Sequence, residues 1–335
     1  MWGAALALAL LLSGCGAGRD AGYGFAPPEE DRLVIYTSHK EEVYGALVKE
    51  FSERTGIWVE VVTGGTNELL ERIAAEADAP ECDVMFGGGV ESLVAYEGYF
   101  EPYTCSGAAV IKAGFRPEGD YYTPFSSLPM VLICNPKVVG EGEVDSWRDL
   151  LDEKWKGKIA FADPTVSGSS YTAALTLLSC VPGDDWAILE RFVDNLDGQV
   201  LPDSGDVVES VRSGANYIGI TLEAMVLQQQ VQGADVSIVY PREGTSSVPD
   251  GSALVLGAPH PDNAKAFLEF VQGEDVQELV VDEFSRRPVR TDVAEPDYLP
   301  PEEALHIIDY DVRWAGGLKE EFTQRWLELM KEAQK

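Results

Sequence analysis

Apolar, β-branched stretches alternate with turn and helix-capping residues through the first hundred positions of the chain. Residues 33–37 predict a strand, and the Ser-His-Lys-Glu sequence beginning at Ser38 matches a capping box and predicts a helix ending near Arg54. The same order is predicted twice more, with strands over 58–62 and 83–86 and helices over 67–77 and 90–96. Consecutive βα units indicate a parallel sheet whose strand-to-helix turns share one edge, where open α/β sheets bind ligands.

A second α/β series begins near residue 146, after residues 121–134, which predict long strands that cross to a second domain. Its predicted helices cover 146–149, 163–179, 185–195, 207–213 and 222–232, and its strands cover 158–162 and 217–220. Strands over 236–240 and 252–256 are expected to return to the first domain, followed by helices over 262–271, 275–282 and 318–332. The pattern therefore predicts two α/β lobes joined by more than one crossing.

Length and charge narrow the classes of function. At roughly 150 residues per domain, 335 residues suggest about two domains. The 25 basic and 57 acidic residues give a net charge of −32. Such a chain repels nucleic acids and anionic lipid headgroups, so no nucleic-acid partner is expected, and an anionic ligand would need a recessed site with local donors.

The N-terminus has the pattern of a lipoprotein signal. Residues 1–14 are predicted to be the signal peptide, because their apolar run is shorter than the roughly 20 residues that span a bilayer. The run leads into Leu-Ser-Gly-Cys at 12–15, a lipobox in which the Cys15 thiol accepts the lipid that anchors the protein to a membrane. Residues 15–31, rich in Gly, Ala, Pro and acid, predict a flexible tether.

Four further cysteines allow two disulfides in an exported protein. We expect Cys82 to pair with Cys105 and Cys134 with Cys180, and four buried thiols are the alternative. The chain has no Cys-x-x-Cys spacing, so no metal site is expected among them.

Candidate ligand-binding residues lie where predicted strands meet helices. Hydroxyls, backbone N–H groups and helix dipoles at such places favour an anion, although the same residues also serve as ordinary caps and turns. In the first lobe the candidates are Thr37, Ser38, His39, Gly65, Thr66, Gly88 and Gly89. In the second they are Ser167, Gly168, Ser169, Ser170, Thr221 and Glu223. Arg286 and Arg287 add guanidinium forks suited to phosphate, with structural ion pairs as the alternative.

Several short motifs, in this order, resemble one transport family over about residues 31–292. They are Tyr-Thr-Ser-His at 36–39, Trp-Arg-Asp-Leu-Leu at 147–151, Trp-Lys-Gly-Lys-Ile at 155–159, Asp-Pro at 163–164, Ser-Gly-Ser at 167–169, Gly-Ser-Ala at 251–253, and Asn263, Ala264 and Phe267. The chain is similar to the extracellular solute-binding proteins of ABC importers that include ferric-ion-binding proteins and relatives carrying sugar phosphates and phosphonates.

The resemblance implies a two-lobed, periplasmic-binding-protein-like (type II) α/β fold that closes by a hinge over a ligand in the interlobe cleft. Each lobe would hold a mixed, mostly parallel sheet flanked by helices. Residues 32–125 with about 245–285 are expected to form lobe 1, and residues 126–244 with about 286–335 lobe 2 and the C-terminal helices. We expect a monomeric protein that works with ABC permease subunits and needs no cofactor.

The ligand is expected to be a small phosphorylated or phosphonate anion. Ferric-binding relatives carry adjacent tyrosines beyond the strand that corresponds to 217–220, and residues 217–223 have no such pair. Tyr121 and Tyr122 are adjacent but fall in a crossover, so a ferric-ion-binding protein is the alternative. A secreted hydrolase is less favoured, because the histidines at 39, 260 and 306 are scattered and no nucleophile motif accompanies them.

The lipobox predicts that Cys15 carries a lipid in the intact cell. Cys15→Ala should abolish lipid labelling, because the substituted side chain has no thiol to accept the diacylglyceryl group. Incorporation of labelled palmitate measures this directly. Palmitate incorporated equally into the variant would contradict the assignment of Cys15.

Overall fold

The computed structural model describes residues 27–334, so the predicted signal peptide, Cys15 and most of the predicted tether lie outside it. The strands are β1 (Arg32–Thr37), β2 (Trp58–Thr63), β3 (Val84–Gly89), β4 (Thr123–Cys134), β5 (Ile159–Ala160), β6 (Ile218–Leu222), β7 (Ser237–Val239), β8 (Ser247–Leu254) and β9 (Arg287–Pro288). The helices are α1 (Glu41–Thr55), α2 (Thr66–Ala75), α3 (Val90–Ala95), α4 (Gly168–Cys180), α5 (Asp185–Leu196), α6 (Asp206–Ser213), α7 (Glu223–Val231), α8 (Pro261–Val271), α9 (Glu274–Phe284) and α10 (Val312–Ala333).

Lobe 1 contains the three βα units that the apolar pattern predicts. β1 pairs in parallel with both β2 and β3, and β8 adds an antiparallel neighbour beside β3. Helices α1, α2, α8 and α9 bury their apolar faces against this sheet, around a core that includes Phe51, Phe86 and Phe267. Because β1, β2 and β3 run parallel, the turns that follow them reach the same edge.

Lobe 2 is built on β4, β6, β5 and β7, with β5 parallel and β4 antiparallel to β6. Its main core packs Trp147, Phe161, Phe192 and Trp326 among the aliphatic side chains of α4 and α5. Trp326 belongs to α10 and packs into the lobe 2 core, while Gly316 and Lys319 of the same helix contact α3 of lobe 1.

One strand joins the two sheets. The first half of β4 pairs with β8 and β9, and its second half pairs with β6 and β7. Every residue of β4 is buried. Residues 287 and 288, placed with lobe 2 by the predicted division, therefore pair with the lobe 1 half of β4.

Several predicted element starts differ from the structure. β8 begins at Ser247 rather than at 252, and α4 begins at Gly168 rather than at 163. α1 begins at Glu41 rather than Ser38, and its N-cap residue, Lys40, makes no side-chain capping bond. Ser38 therefore does not cap this helix. α10 begins six residues before the predicted start at 318, because Asp311 caps it by accepting from the Trp314 N–H at 2.8 Å. The helix continues through Gly316 and Gly317 because tertiary packing overrides their low helix propensity.

The cysteines correct the expected disulfides. Cys82, Cys105, Cys134 and Cys180 are all free thiols in the structure, so neither predicted bridge is formed. The Cys82 thiol donates to the Val84 carbonyl oxygen at 3.2 Å, and Cys105 Sγ lies 3.5 Å from Thr123 Oγ1. Burial raises the pKa of the Cys105 thiol to about 11. A core of this size needs no covalent cross-links.

Across residues 27–334, no helix combines the length and apolarity that crossing a membrane requires.

Candidate ligand-binding site

A cavity of about 550 Å³ lies between the two lobes, at the edge where the lobe 1 strands end. Most of the predicted binding residues line it: Thr37, Ser38, His39, Gly65, Thr66, Gly88, Gly89, Ser167, Gly168, Ser169, Thr221 and Arg286. Residues that the sequence did not single out also line it, among them Lys40, Glu41, Tyr44, Leu128, Asp203, Leu222, Met225, Val248 and Asp250. Three predicted residues, Ser170, Glu223 and Arg287, lie outside the lining.

Three long helices begin at this cavity. Lys40, Gly65 and Ser167 are the N-cap residues of α1, α2 and α4, and all three line the cavity. The first N–H groups of a helix have no partner within it, and the helix dipole places partial positive charge there. Helix starts from both lobes therefore direct N–H donors and positive potential toward one space, which suits an anion.

The start of α4 explains why two adjacent serines differ. Ser167 Oγ accepts from the Ser170 N–H at 3.2 Å and lies 3.1 Å from Ser169 Oγ. The Ser170 N–H is thereby used in capping, and its side chain is buried behind the cavity wall. Ser169 stays half-buried and faces the cavity, so it is the better ligand contact of the two.

A buried polar group forms the base of the cavity. Arg286 Nη1 donates to Asp250 Oδ2 at 2.6 Å and to Ser126 Oγ at 3.1 Å, and the Ser126 N–H donates to Asp250 Oδ1 at 2.8 Å. Burial raises the pKa of Asp250, and Arg286 opposes that effect. The buried Asp250 carboxylate is thus held by a guanidinium at the cavity floor.

His39 lies against this group in its neutral form. Its Nε2 is 3.4 Å from Asp250 Oδ2 and makes no hydrogen bond to any described residue. Burial, with help from the Arg286 charge, lowers the pKa of His39 well below its usual value. At neutral pH His39 therefore contributes a polar ring edge to the cavity and no positive charge.

The two lobes are in contact around the cavity. Lys40 Nζ of lobe 1 lies 2.8 Å from Asp203 Oδ2 of lobe 2, and the Asn67 amide donates to the Thr165 carbonyl oxygen at 2.7 Å. Gly168 approaches Thr66 so closely that a methyl group at Gly168 would lie 3.0 Å from Thr66 Oγ1. The two lobes therefore touch each other at the cavity.

Lys40 and Asp203 form the charged pair at the cavity mouth. Both side chains are about half exposed. Burial would raise the pKa of Asp203, but the hydrogen bonds from Lys40 and from the Gly205 N–H lower it below its usual range. Sequence reasoning missed both residues, because the only local signal was the proximity of Lys40 to Ser38.

Glu223 and Arg287 require a correction, because they bind each other instead of facing the cavity. Arg287 Nε donates to Glu223 Oε2 at 2.8 Å, and its Nη2 donates to Glu223 Oε1 at 2.9 Å. Its Nη1 also donates to Glu295 Oε2 at 2.9 Å. The two side chains are 0% and 1% exposed. The guanidinium fork matches the carboxylate, so the pair is structural.

The tyrosines considered for iron do not meet at the cavity. Tyr121 and Tyr122 are absent from its lining, whereas Tyr44 contributes to it. Burial raises the pKa of Tyr122 to about 12, which disfavours a phenolate. Among the described residues, no three His, Cys, Asp or Glu side chains are grouped so that they could hold a metal ion.

Comparison with known proteins identifies the class. The family described as bacterial extracellular solute-binding protein matches residues 77–312, and the chain belongs to this family. Its structure resembles that of AfuA, the periplasmic binding protein of Actinobacillus pleuropneumoniae solved with fructose 6-phosphate, with a TM-score of 0.82, 24% identity and coverage of 90% of this chain and 98% of AfuA. This likeness shows the two-lobed periplasmic-binding-protein fold.

Two curated relatives have names that refer to different ligands. Iron uptake protein A1 of Synechocystis sp. PCC 6803 is 27% identical over 302 residues, covering 83% of this chain and 81% of the relative. A putative 2-aminoethylphosphonate-binding periplasmic protein of Salmonella paratyphi A is 26% identical over 262 residues, covering 76% of each. The protein is a solute-binding component of an ABC importer. Proteins of this family act outside the cytoplasmic membrane.

The buried ion pair between Arg287 and Glu223 is expected to stabilise the fold. Arg287→Met should lower the free energy of unfolding by about 3–5 kcal/mol, because it leaves the Glu223 carboxylate buried without its counterion. Adding Glu223→Gln should recover most of the loss. Urea unfolding followed by circular dichroism measures both.

Arg242→Met is the matched control, because Arg242 pairs with Asp145 at the surface and is 63% exposed. Its loss should stay below about 1 kcal/mol. Equal losses for Arg242→Met and Arg287→Met would contradict the structural role assigned to the buried pair.

Proposed function

We propose that this protein is the lipid-anchored substrate-binding component of an ABC importer and that it captures a small phosphorylated or phosphonate solute in the interlobe cavity by hinge closure. The observation that carries this proposal is the convergence of the α1, α2 and α4 starts, from both lobes, on one cavity. A phosphoryl group bound there would accept hydrogen bonds from both lobes at once. Its binding would therefore favour the closed form.

The donors available to such a group are mainly neutral. The charged side chains lining the cavity are Lys40 and Arg286 against Glu41, Asp203 and Asp250, so they supply no net positive charge. Ser38, Thr66, Ser167 and Ser169 add hydroxyl donors to the backbone N–H groups. Hydrogen bonds to a charged group contribute about 1.5–3 kcal/mol each, so several of them can hold a phosphoryl group in a protein of net charge −32.

The phosphonate-binding name of the Salmonella relative and the fructose 6-phosphate bound to AfuA are consistent with this ligand class. The iron uptake relative supports ferric ion as the second candidate. Ferric ion requires anionic oxygen ligands. In the cavity, however, Asp203 is held by Lys40 and Asp250 by Arg286, and Tyr44 has no tyrosine partner in the lining.

Cys15 would tether the protein to the membrane, and the closed clamp would present its solute to ABC permease subunits. Binding without turnover fits the site better than hydrolysis, because the His39 ring lies against Asp250, Phe86 and Phe125, and its Nε2 makes no hydrogen bond to a hydroxyl or thiol of the described residues. His260, held by Asp83 and Glu29, is not among the cavity residues.

Adjacent serines of α4 offer a matched test of the phosphoryl site. Ser169→Ala should weaken binding by at least about tenfold, or roughly 1.4 kcal/mol, because it removes a hydroxyl that faces the cavity. Ser170→Ala should change it less than about twofold, because that side chain is buried outside the lining. Calorimetry with fructose 6-phosphate, 2-aminoethylphosphonate, inorganic phosphate and ferric citrate measures both.

Thermal melts of both variants serve as the folding control. Equal effects of the two substitutions would contradict the placement of the phosphoryl site. Binding of ferric citrate alone, with a phenolate charge-transfer band, would contradict the ligand class and favour the iron importer.

A further inference from the structure

A buried carboxyl group lies against the cavity wall. Glu91, on the first turn of α3, is 0% exposed, and both of its oxygens lie within 2.6 Å of the place where a Cβ atom on Gly89 would be. Gly89 lines the cavity, and so does Thr172 of α4, whose hydroxyl is hydrogen-bonded to Glu91 Oε1. α3 packs in the lobe 1 core and α4 in the lobe 2 core, so this hydrogen bond joins the two lobes beside the cavity.

The surroundings of the Thr172 hydroxyl indicate that Glu91 is protonated. Thr172 Oγ1 lies 3.1 Å from the Gly168 carbonyl oxygen and also contacts Glu91 Oε1. A carbonyl oxygen only accepts, and a hydroxyl has one proton to donate. An ionised Glu91 would compete with Gly168 for that proton. A protonated Glu91 donates to Thr172, which then donates to Gly168, so that both contacts are hydrogen bonds.

The second oxygen of Glu91 favours the same protonation state. Glu91 Oε2 is buried and makes no hydrogen bond to any described residue. An unpaired buried oxygen costs more free energy when its group is charged than when it is neutral. Burial accordingly raises the pKa of Glu91 above its ordinary value, although the hydrogen bond from Thr172 and the charge of Lys319 oppose that effect.

Lys319 of α10 is the cation that acts on Glu91, but it binds another residue. Its Nζ donates to Ser92 Oγ at 2.8 Å and lies 4.5 Å from the centre of the Tyr171 ring. Burial lowers the pKa of Lys319 to about 8, although the charges of Glu91 and of Glu71 on α2 oppose that effect. Because Lys319 donates to Ser92 rather than to Glu91, burial decides the protonation of Glu91.

The other titratable groups around Glu91 are uncharged or already paired. On β8, Asp250 is bound by Arg286 at 2.6 Å, and Arg313 of α10 is paired with Glu118 at 2.9 Å. Burial raises the pKa of the tyrosines that face Glu91, so they carry no charge near neutral pH: Tyr122, Tyr171 and Tyr310.

Resting on the proposed function, we propose that solute binding is coupled to the uptake of one proton by Glu91. Thr172, Tyr171 and Lys319, which cover Glu91, are on helices that pack in the lobe 2 core. When the lobes separate, water hydrates the Glu91 carboxylate and its pKa returns toward the ordinary value. Closure over the solute buries the group again, and the carboxylate takes a proton from solvent.

The coupling fixes the direction of the pH dependence. Because the pKa of Glu91 is higher in the bound form, affinity is greatest below the ordinary pKa of a glutamate and falls as the pH rises toward the raised value. Between these two pKa values, the dissociation constant should rise by up to about tenfold per pH unit.

Glu91→Gln isolates this effect, because its amide donates to Thr172 as a protonated carboxyl does and does not titrate. Calorimetry with 2-aminoethylphosphonate and fructose 6-phosphate gives the ratio of the wild-type to the variant dissociation constant, in which the ionisation of the probe cancels. The ratio should rise by at least about threefold over the first pH unit above the ordinary pKa of a glutamate. Glu283→Gln is the matched control, since Glu283 is exposed on α9 and is not among the cavity residues. Its ratio should stay constant.

Infrared difference spectroscopy detects the proton itself. About two pH units above the ordinary pKa of a glutamate, a saturating probe should produce the carbonyl stretching band of a protonated carboxyl in the wild type and not in Glu91→Gln. Thr172→Val is a second variant, independent of the folding of the first. It should shift the band, because the carboxyl loses the hydroxyl to which it donates.

Each outcome bears on one proposal or on both. A ratio that stays constant with pH, or a bound form without the protonated-carboxyl band, overturns the inference and leaves the proposed function intact. Failure of both phosphoryl probes to bind, with ferric citrate binding, overturns the proposed function and the inference with it. A rising ratio, together with a band that appears on probe binding and is absent from Glu91→Gln, supports both.

Discussion

The sharing of β4 between two sheets is the constraint on which the rest of the structure depends. Its first half pairs with β8 and its second half with β6, so both lobes are hydrogen-bonded to one continuous buried strand. This connection brings helix starts of lobe 1 and lobe 2 to opposite walls of one cavity. It also leaves the lobes joined by few strands, which is the arrangement that hinge closure requires.

The cavity carries far less negative charge than the protein as a whole. The net charge of −32 is carried mostly by carboxylates outside the cavity. In or next to it, Asp250, Asp203 and Glu223 are paired with Arg286, Lys40 and Arg287, and Glu41 in the lining is exposed to solvent. Pairing reduces the repulsion that these carboxylates would exert on the anionic ligand that we propose for the cavity.

Local signals predict much of this fold and of its cavity. The strand end at Thr37 and the serine-rich start of α4 could be predicted, because apolar runs and capping residues act over a few positions. β3, in contrast, runs three residues past its predicted end at 86 to Gly89. The Lys40 and Asp203 pair could not be predicted, since the two residues are 163 positions apart in sequence and meet only when the two lobes are assembled. For Glu223 and Arg287, residue type suggested ligand contact, and only tertiary packing shows that they bind each other.

Closure around a phosphoryl solute is tested most directly by small-angle X-ray scattering of the protein with and without the probe that binds most tightly. Ligand-free protein should populate an open form of larger radius of gyration, and saturating probe should reduce that radius to the value of the structure in which the lobes touch. Ser169→Ala should need a correspondingly higher probe concentration for the same change. A radius of gyration that is identical with and without bound probe would contradict hinge closure as the means of capture.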